Sequence, residues 1–194
     1  GAAPNYVMIK RTDTTSNWIV ATTASGFGFG KFTYLNTADA TTTNSGPFND
    51  TAPSNSVITL GTWNDVNNSS GTYICYAFAE KKGFSKFGSY TGLHASNPFV
   101  YTGFKPAFLM IRSQSTLNWN MFDNRRFGFN GKNPTLFADL TNTEDTEYDR
   151  IDLVSNGFKI NTSNAQLNND NTPAFYMAFA EAPLVGSNNI AATA

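Results

Sequence analysis

Thr72-Tyr73-Ile74-Cys75-Tyr76-Ala77-Phe78-Ala79-Glu80 is the stretch on which the reading of this chain turns. Aromatic and β-branched residues fill it, and neither Gly nor Pro interrupts it, so it predicts a strand. Alternation puts Ile74, Tyr76 and Phe78 on one face and Tyr73, Cys75, Ala77 and Ala79 on the other. Bulky residues on one side and smaller ones on the other suit packing on both faces, as in a sandwich core. The ending Ala77-Phe78-Ala79-Glu80 returns as Ala178-Phe179-Ala180-Glu181, where Phe175, Met177 and Phe179 take the bulky face.

The echo extends along the chain. Tyr6-Val7-Met8-Ile9-Lys10 returns as Phe108-Leu109-Met110-Ile111-Arg112, with Pro4 matched by Pro106. Asn17-Trp18 returns as Asn118-Trp119, and Phe27-Gly28-Phe29 as Phe127-Gly128-Phe129. The offset stays between 100 and 102 throughout. A constant offset over separated motifs predicts two tandem repeats of about one hundred residues. The first spans 1–83 and is N-terminally incomplete; the second spans 84–194. Each has its own tryptophan and its own final strand, which favours separate sandwiches. Nothing before Pro4 matches Phe87 to Gly92 or Pro98 to Phe104. That gap predicts an open sheet edge near Tyr6, filled by an upstream strand or by another chain. The start Gly-Ala-Ala, without Met or an apolar leader, reads as a processed or excised piece.

Composition narrows the function. Of 194 residues, 24 are Asn, 24 Thr and 15 Ser, and only 14% are charged. Lys and Arg number 13 against 14 Asp and Glu, so the chain lacks the basic footprint of a nucleic-acid binder. No apolar run approaches the ~20 residues of a membrane span, so no membrane insertion is expected. A single cysteine, Cys75, excludes an internal disulfide framework. A single histidine, His94, leaves no second imidazole for a zinc site. With 40% hydrophobic residues, 17 of them Phe within 194, there is material for a packed core.

Further short strands are expected at Tyr6 to Lys10, from Asn17, and at Val57 to Leu60. Between them lie Asn, Thr, Ser and Gly, which bond their own backbone and form turns. No window of ten or more residues has helical period and caps. The pattern predicts an all-β, antiparallel β-sandwich or jelly roll.

Candidate sites are few. Trp63 has no partner in the second copy and opens the loop Trp63-Asn64-Asp65-Val66-Asn67-Asn68-Ser69-Ser70. An aromatic face beside amides and a carboxylate is what a sugar site requires, so Trp63, Asn64, Asp65 and Asn67 are the candidate ligand residues. The plainer alternative folds the indole onto the sandwich. Trp18 and Trp119, at equivalent positions, are expected as core anchors. Glu80 and Glu181 end equivalent strands, and duplication yields equivalent rather than complementary roles, so they make no acid–base pair. Glu144, Asp145, Glu147, Asp149 and Asp152 lack a calcium-loop pattern and read as a solvated loop. His94 sits in a turn, with no Gly-x-Ser-x-Gly elbow to pair with. Cys75 reads as a small buried hydrophobe, and Gly26 to Gly30 as a flexible aromatic turn. No catalytic residue, metal or cofactor is expected.

Four motifs in combination resemble a module family of tailed-phage virion proteins, often from marine phages. They are Phe87-Gly88-Ser89-Tyr90-Thr91-Gly92, the run from Pro98 to Phe108, Ser155-Asn156-Gly157-Phe158-Lys159, and Tyr176-Met177-Ala178-Phe179-Ala180-Glu181. The resemblance implies a lectin-like sandwich of the concanavalin or laminin-G type, displayed on a virion and repeated in tail-fibre-like chains. It carries no catalytic residues over. The expected function is therefore non-enzymatic: a fibre or appendage module contacting host-surface glycans. Its partners would be other virion proteins and further copies of itself, with a trimer favoured. A purely structural capsid-decoration or fibre-spacer protein is the alternative, and a polysaccharide depolymerase a third.

Overall fold

A computed structural model describes residues 1–126 and 130–181. Within them every named strand pairing is antiparallel, as a sandwich requires. The first sheet holds β1 (Tyr6–Arg11), β2 (Trp18–Thr22), β3 (Lys31–Tyr34), β4 (Thr42–Thr43) and β5 (Tyr73–Phe78), in the order β4-β3-β2-β1-β5. The central sheet joins β6 (Ser85–Thr91), β8 (Pro106–Ser113), β9 (Asn120–Asp123) and β12 (Pro173–Ala180) in the order β6-β12-β8-β9. A third sheet, β10-β11-β7, comes from β7 (Phe99–Tyr101), β10 (Ile151–Val154) and β11 (Gly157–Ile160). The helices are single turns, α1 (Asn64–Asn67) and α2 (Ala165–Asn168).

Alternation along each strand stacks these sheets into layers. On β12, Phe175 and Met177 pack with Tyr6, Val20 and Phe27 of the first sheet and its loops. Ala174, Tyr176 and Ala178 of the same strand turn the other way, onto Ile151, Leu153, Phe158 and Ile160 of the third sheet. A strand apolar on both faces is thereby buried on both, each large side chain contributing about 1.5–3 kcal/mol. Val7, Ile9, Ile19 and Ala21 face outward from the first sheet and are covered by Phe29, Phe48 and Val66 of the connecting loops. Residues on both sides of the 83/84 boundary share the cluster between the first and central sheets. The two stretches pack as one body.

Matching residues take matching registers. Tyr6 faces Phe78 and Met8 faces Tyr76 across β1 and β5. Phe108 faces Phe179 and Met110 faces Met177 across β8 and β12. The motif Phe127-Gly128-Phe129 lies outside the described residues.

Several expectations change. Val57 to Leu60 forms no strand: the Ser54 hydroxyl accepts the Val57 N–H at 3.0 Å, and Gly61 donates to the Pro47 carbonyl. That segment meets loop backbone rather than a strand. Tyr6 is fully buried in a central strand, so the open edge of the first sheet belongs to β5. Cys75, expected inside, is consequently exposed. The Gly26–Gly30 turn is pinned, with Phe27 in one core and Phe29 in another. Gly26 and Gly28 there adopt φ of +84° and +79°, which L side chains resist.

The halves are also locked by polar contacts. Trp119, 1% exposed, donates from Nε1 to the Tyr34 carbonyl at 2.8 Å. Arg112 is fully buried beside it, its guanidinium 5.8 Å from the indole and donating to the Asp39 carbonyl. Burial pushes Arg112 down to about 10, against the opposing pull of Asp139 and Asp39.

Candidate ligand cleft

The Trp63 loop does not assemble an exposed platform. The Trp63 ring packs edge to face on Phe32, centroids 5.0 Å apart, and joins the outer core of the first sheet. The Asn64 carbonyl accepts the Tyr73 hydroxyl at 2.7 Å, and the Asn64 side chain accepts from Asn68. Asn67 donates to the Gly61 carbonyl at 2.8 Å. Asp65 stands half-buried in the first turn of α1. Three of the four residues are thus engaged in holding a loop against the sheet. Asn67 also borders a groove of about 440 Å³ with Ile58, Leu60, Tyr73 and Cys75.

A different cleft, of about 530 Å³, opens beside β9. Asn118 lines it from the start of that strand and Gln166 from α2, while Phe137, Leu140, Asn142, Thr143, Glu144 and Asp145 come from the connection between β9 and β10. That connection is stitched to β9 by paired backbone bonds between Met121 and Leu136, and closed on itself by those between Thr135 and Asp145. Gln166 Oε1 accepts the Asn118 N–H at 2.9 Å, tying the two walls together. Amides, a hydroxyl and two carboxylates therefore share the lining with Phe137 and Leu140. Six of the eight lining residues are polar or charged and two are apolar, so the cleft is an open, mainly polar one that suits a hydroxyl-rich ligand better than an apolar one.

Arginines fix the acidic wall. Arg126 bridges Asp123 and Glu144, and Arg150 holds Asp145 at 2.5 Å. Burial alone would raise the Asp145 carboxyl, but the Glu147 amide and Arg150 outweigh it and hold it below the usual range. Held so, Asp145 accepts hydrogen bonds and is a poor proton donor at neutral pH. Glu80 pairs with Lys86 at 2.7 Å, and Glu181 with Lys105 at 2.6 Å, each at a strand end. Among the described residues no three His, Cys, Asp or Glu side chains group to hold a metal ion.

Behind the cleft, α2 is anchored from two sides. Tyr90 donates its hydroxyl to the Leu167 carbonyl at 2.6 Å. Asn168, fully buried, binds the loop around His94, whose carbonyl accepts from its Nδ2 at 3.1 Å. His94 itself is exposed at a positive φ of 45°. Sequence reasoning took Glu144 and Asp145 for a solvated loop and passed over Phe137, Leu140 and Gln166. The available signal was an apolar pair, Phe137 and Leu140, set beside the amide of Asn142 and the hydroxyl of Thr143.

No curated protein and no solved structure matches the chain. A family model described as a domain of unknown function, DUF7483, matches residues 1–183. Spanning nearly the whole chain, that match places the protein in the DUF7483 family.

Proposed function

We propose that this protein is a non-enzymatic virion module of a tailed-phage fibre or related appendage, whose cleft beside β9 contacts neutral host-surface glycans. The observation that carries the glycan reading is the cleft lining: Asn118, Asn142, Thr143 and Gln166 around Phe137 and Leu140. Amides and hydroxyls match sugar hydroxyls in both donor and acceptor roles, and Phe137 and Leu140 take a pyranose face. Both cleft carboxylates are ion-paired to arginines, which suits accepting hydrogen bonds from sugar hydroxyls, and Asp145, held below the usual range, is a poor general acid for glycoside hydrolysis. The virion setting rests on the motif resemblance from Phe87 to Glu181.

The same reading takes the architecture as two tandem repeats of a lectin-like jelly roll. Equal registers at β1–β5 and β8–β12 support the repeat. Repeated display would multiply weak single-site affinity through avidity. Other virion proteins, and further copies of the chain, are the remaining partners.

The test is a glycan array probed with the full chain, followed by Phe137→Ala and Gln166→Ala. Binding to neutral glycans that falls at least about tenfold in each variant supports the reading. Array signals at background, or binding untouched by both substitutions, would overturn it. A purely structural role is the second reading, favoured by the unpaired edge of β5, and under it host attachment would survive both substitutions.

A further inference from the structure

The edge of the first sheet is built like a strand interior. β5 carries Tyr73-Ile74-Cys75-Tyr76-Ala77-Phe78 with no charge, Pro or Gly, the devices by which edges are usually blunted. It stands last in its sheet, and among the described residues no strand lies beyond it. Ile74 and Tyr76 are 39% and 44% exposed, and Tyr76 stacks on Trp18 at 6.1 Å, forming an apolar ledge. The Thr72 carbonyl accepts the Thr12 N–H, and the Phe78 carbonyl accepts the Asn5 N–H. Even-numbered residues of β5 therefore point their backbone groups at β1. By alternation, Tyr73, Cys75 and Ala77 point theirs outward.

The central sheet shows what covers such an edge. There β12, which takes the position equivalent to β5, is flanked by antiparallel β6, with Phe179 facing Ser85, Met177 facing Phe87 and Tyr176 facing Gly88. A second β5, laid antiparallel with Cys75 opposite Cys75, reproduces this order. Thr72 then falls where β6 puts Ser85, Ile74 where it puts Phe87, and Cys75 where it puts Gly88. A small hydroxyl, an apolar side chain and a small residue recur in sequence. In that register each outward backbone group finds a partner, Tyr73 with Ala77 and Cys75 with Cys75. The two exposed apolar residues also meet, Ile74 of one copy against Tyr76 of the other, a favourable β-branched–aromatic pair.

We infer that β5 is a self-pairing edge: two copies of this chain join antiparallel along β5, with Cys75 on the two-fold axis, into one continuous ten-stranded sheet. The interface is isologous, so it closes at two copies. This goes beyond the glycan reading and does not depend on it.

Light scattering on the full chain at micromolar concentration is expected to give a dimer. Mild oxidation with diamide should convert that dimer to a covalent one through Cys75, since facing residues in such a pair lie about 5.5 Å apart, within disulfide range. The register has a sharper test. Ile74→Lys with Tyr76→Lys sets like charges opposite each other at both ends and should weaken the dimer at least about tenfold. Ile74→Lys with Tyr76→Glu sets opposite charges there and should restore it. Both double variants alter exposed side chains, and an unchanged unfolding transition at low concentration verifies that they fold. A monomer, a trimer, or a dimer that resists cross-linking at Cys75 would overturn the inference, as would equal behaviour of the two double variants.

Discussion

Asn168→Ala isolates one buried amide that holds the back of the cleft. Asn168 is wholly buried at the end of α2. Its Nδ2 lies 3.1, 2.9 and 2.8 Å from the carbonyls of His94, Ser96 and Thr162, and its Oδ1 accepts the Leu93 N–H at 2.7 Å. An amide nitrogen has two hydrogens, so three acceptors share two protons and the four contacts amount to about three full bonds. At roughly 1 kcal/mol net apiece, their loss costs about 3 kcal/mol, including the stranded Leu93 amide. In a chain of this size that lowers Tm by roughly 6–12 °C. Calorimetry and urea titration measure both quantities. Asn168→Asp separates shape from hydrogen bonding, because it keeps the outline but turns a carboxylate toward three carbonyls. It should cost more than the alanine at pH 7. An alanine variant within about 0.5 kcal/mol of the parent, or an aspartate variant as stable as it, would refute this reasoning.

Other perturbations probe different parts of the packing. Trp119→Phe keeps most of the buried ring but removes the bond to the Tyr34 carbonyl, so urea titration should show a loss of about 1–2 kcal/mol. Gly28→Ala puts a methyl where nothing lies within 4 Å, so its cost is backbone strain at φ +79° alone, about 1–2 kcal/mol in the same assay. Asp123 and Asp145 set an acid limit. Burial would raise both carboxyls, but Arg126 and neighbouring amides for Asp123, and the Glu147 amide with Arg150 for Asp145, hold both below the usual range. Lowered folded values mean that the unfolded chain binds more protons in acid. Their contribution is therefore full above about pH 4 and is lost as pH falls through the folded values. The urea midpoint should fall as pH drops below about 4, and Asp123→Asn with Asp145→Asn should flatten that slope.

The sheets were legible where alternation and composition agreed. β5 and β12 stood out because period-two patterning and aromatic content coincide in them, with no Gly in either and Pro only at the first residue of β12. Val57 to Leu60 has β-branched residues as well, yet no neighbouring strand offers it a ladder, and local patterning is blind to that. Asn was legible as a loop former but not as a buried part. Asn133, 2% exposed, donates to the Ile151 carbonyl at 2.7 Å, and Asn130 brackets Leu153 from both sides. These amides finish the edge of β10 and leave no pattern in sequence. The cleft was hidden for a related reason. Its walls come from positions 118, 137–145 and 166, and only the layer stacking brings them together.

Trp18 and Trp119 hold equivalent places in sequence but meet different surroundings. Both follow an Asn, and both stand beside the second strand of a matching pair. Trp119 is sealed in the core, edge to face with Phe175, whereas Trp18 is half-buried against exposed Tyr76. Tyr76 and Phe175 belong to strands of similar sequence. One strand, β12, is paired on both sides, and the other, β5, on one. In register Phe175 is matched by Ile74, which faces Lys10 as Phe175 faces Arg112, so Trp18 instead meets a residue two positions along a strand that, among the described residues, lacks the neighbour β12 has in β6. The matched residues, Tyr6 with Phe108 and Met8 with Met110, serve packing in both halves. Although α1 precedes β5 as α2 precedes β12, the two proposed surfaces lie where the halves differ: at the edge of β5, which among the described residues lacks the neighbour β12 has in β6, and at a cleft lined by Phe137, Leu140 and Gln166. That contrast is why self-similarity, the strongest signal in this sequence, pointed to the scaffold and away from the sites.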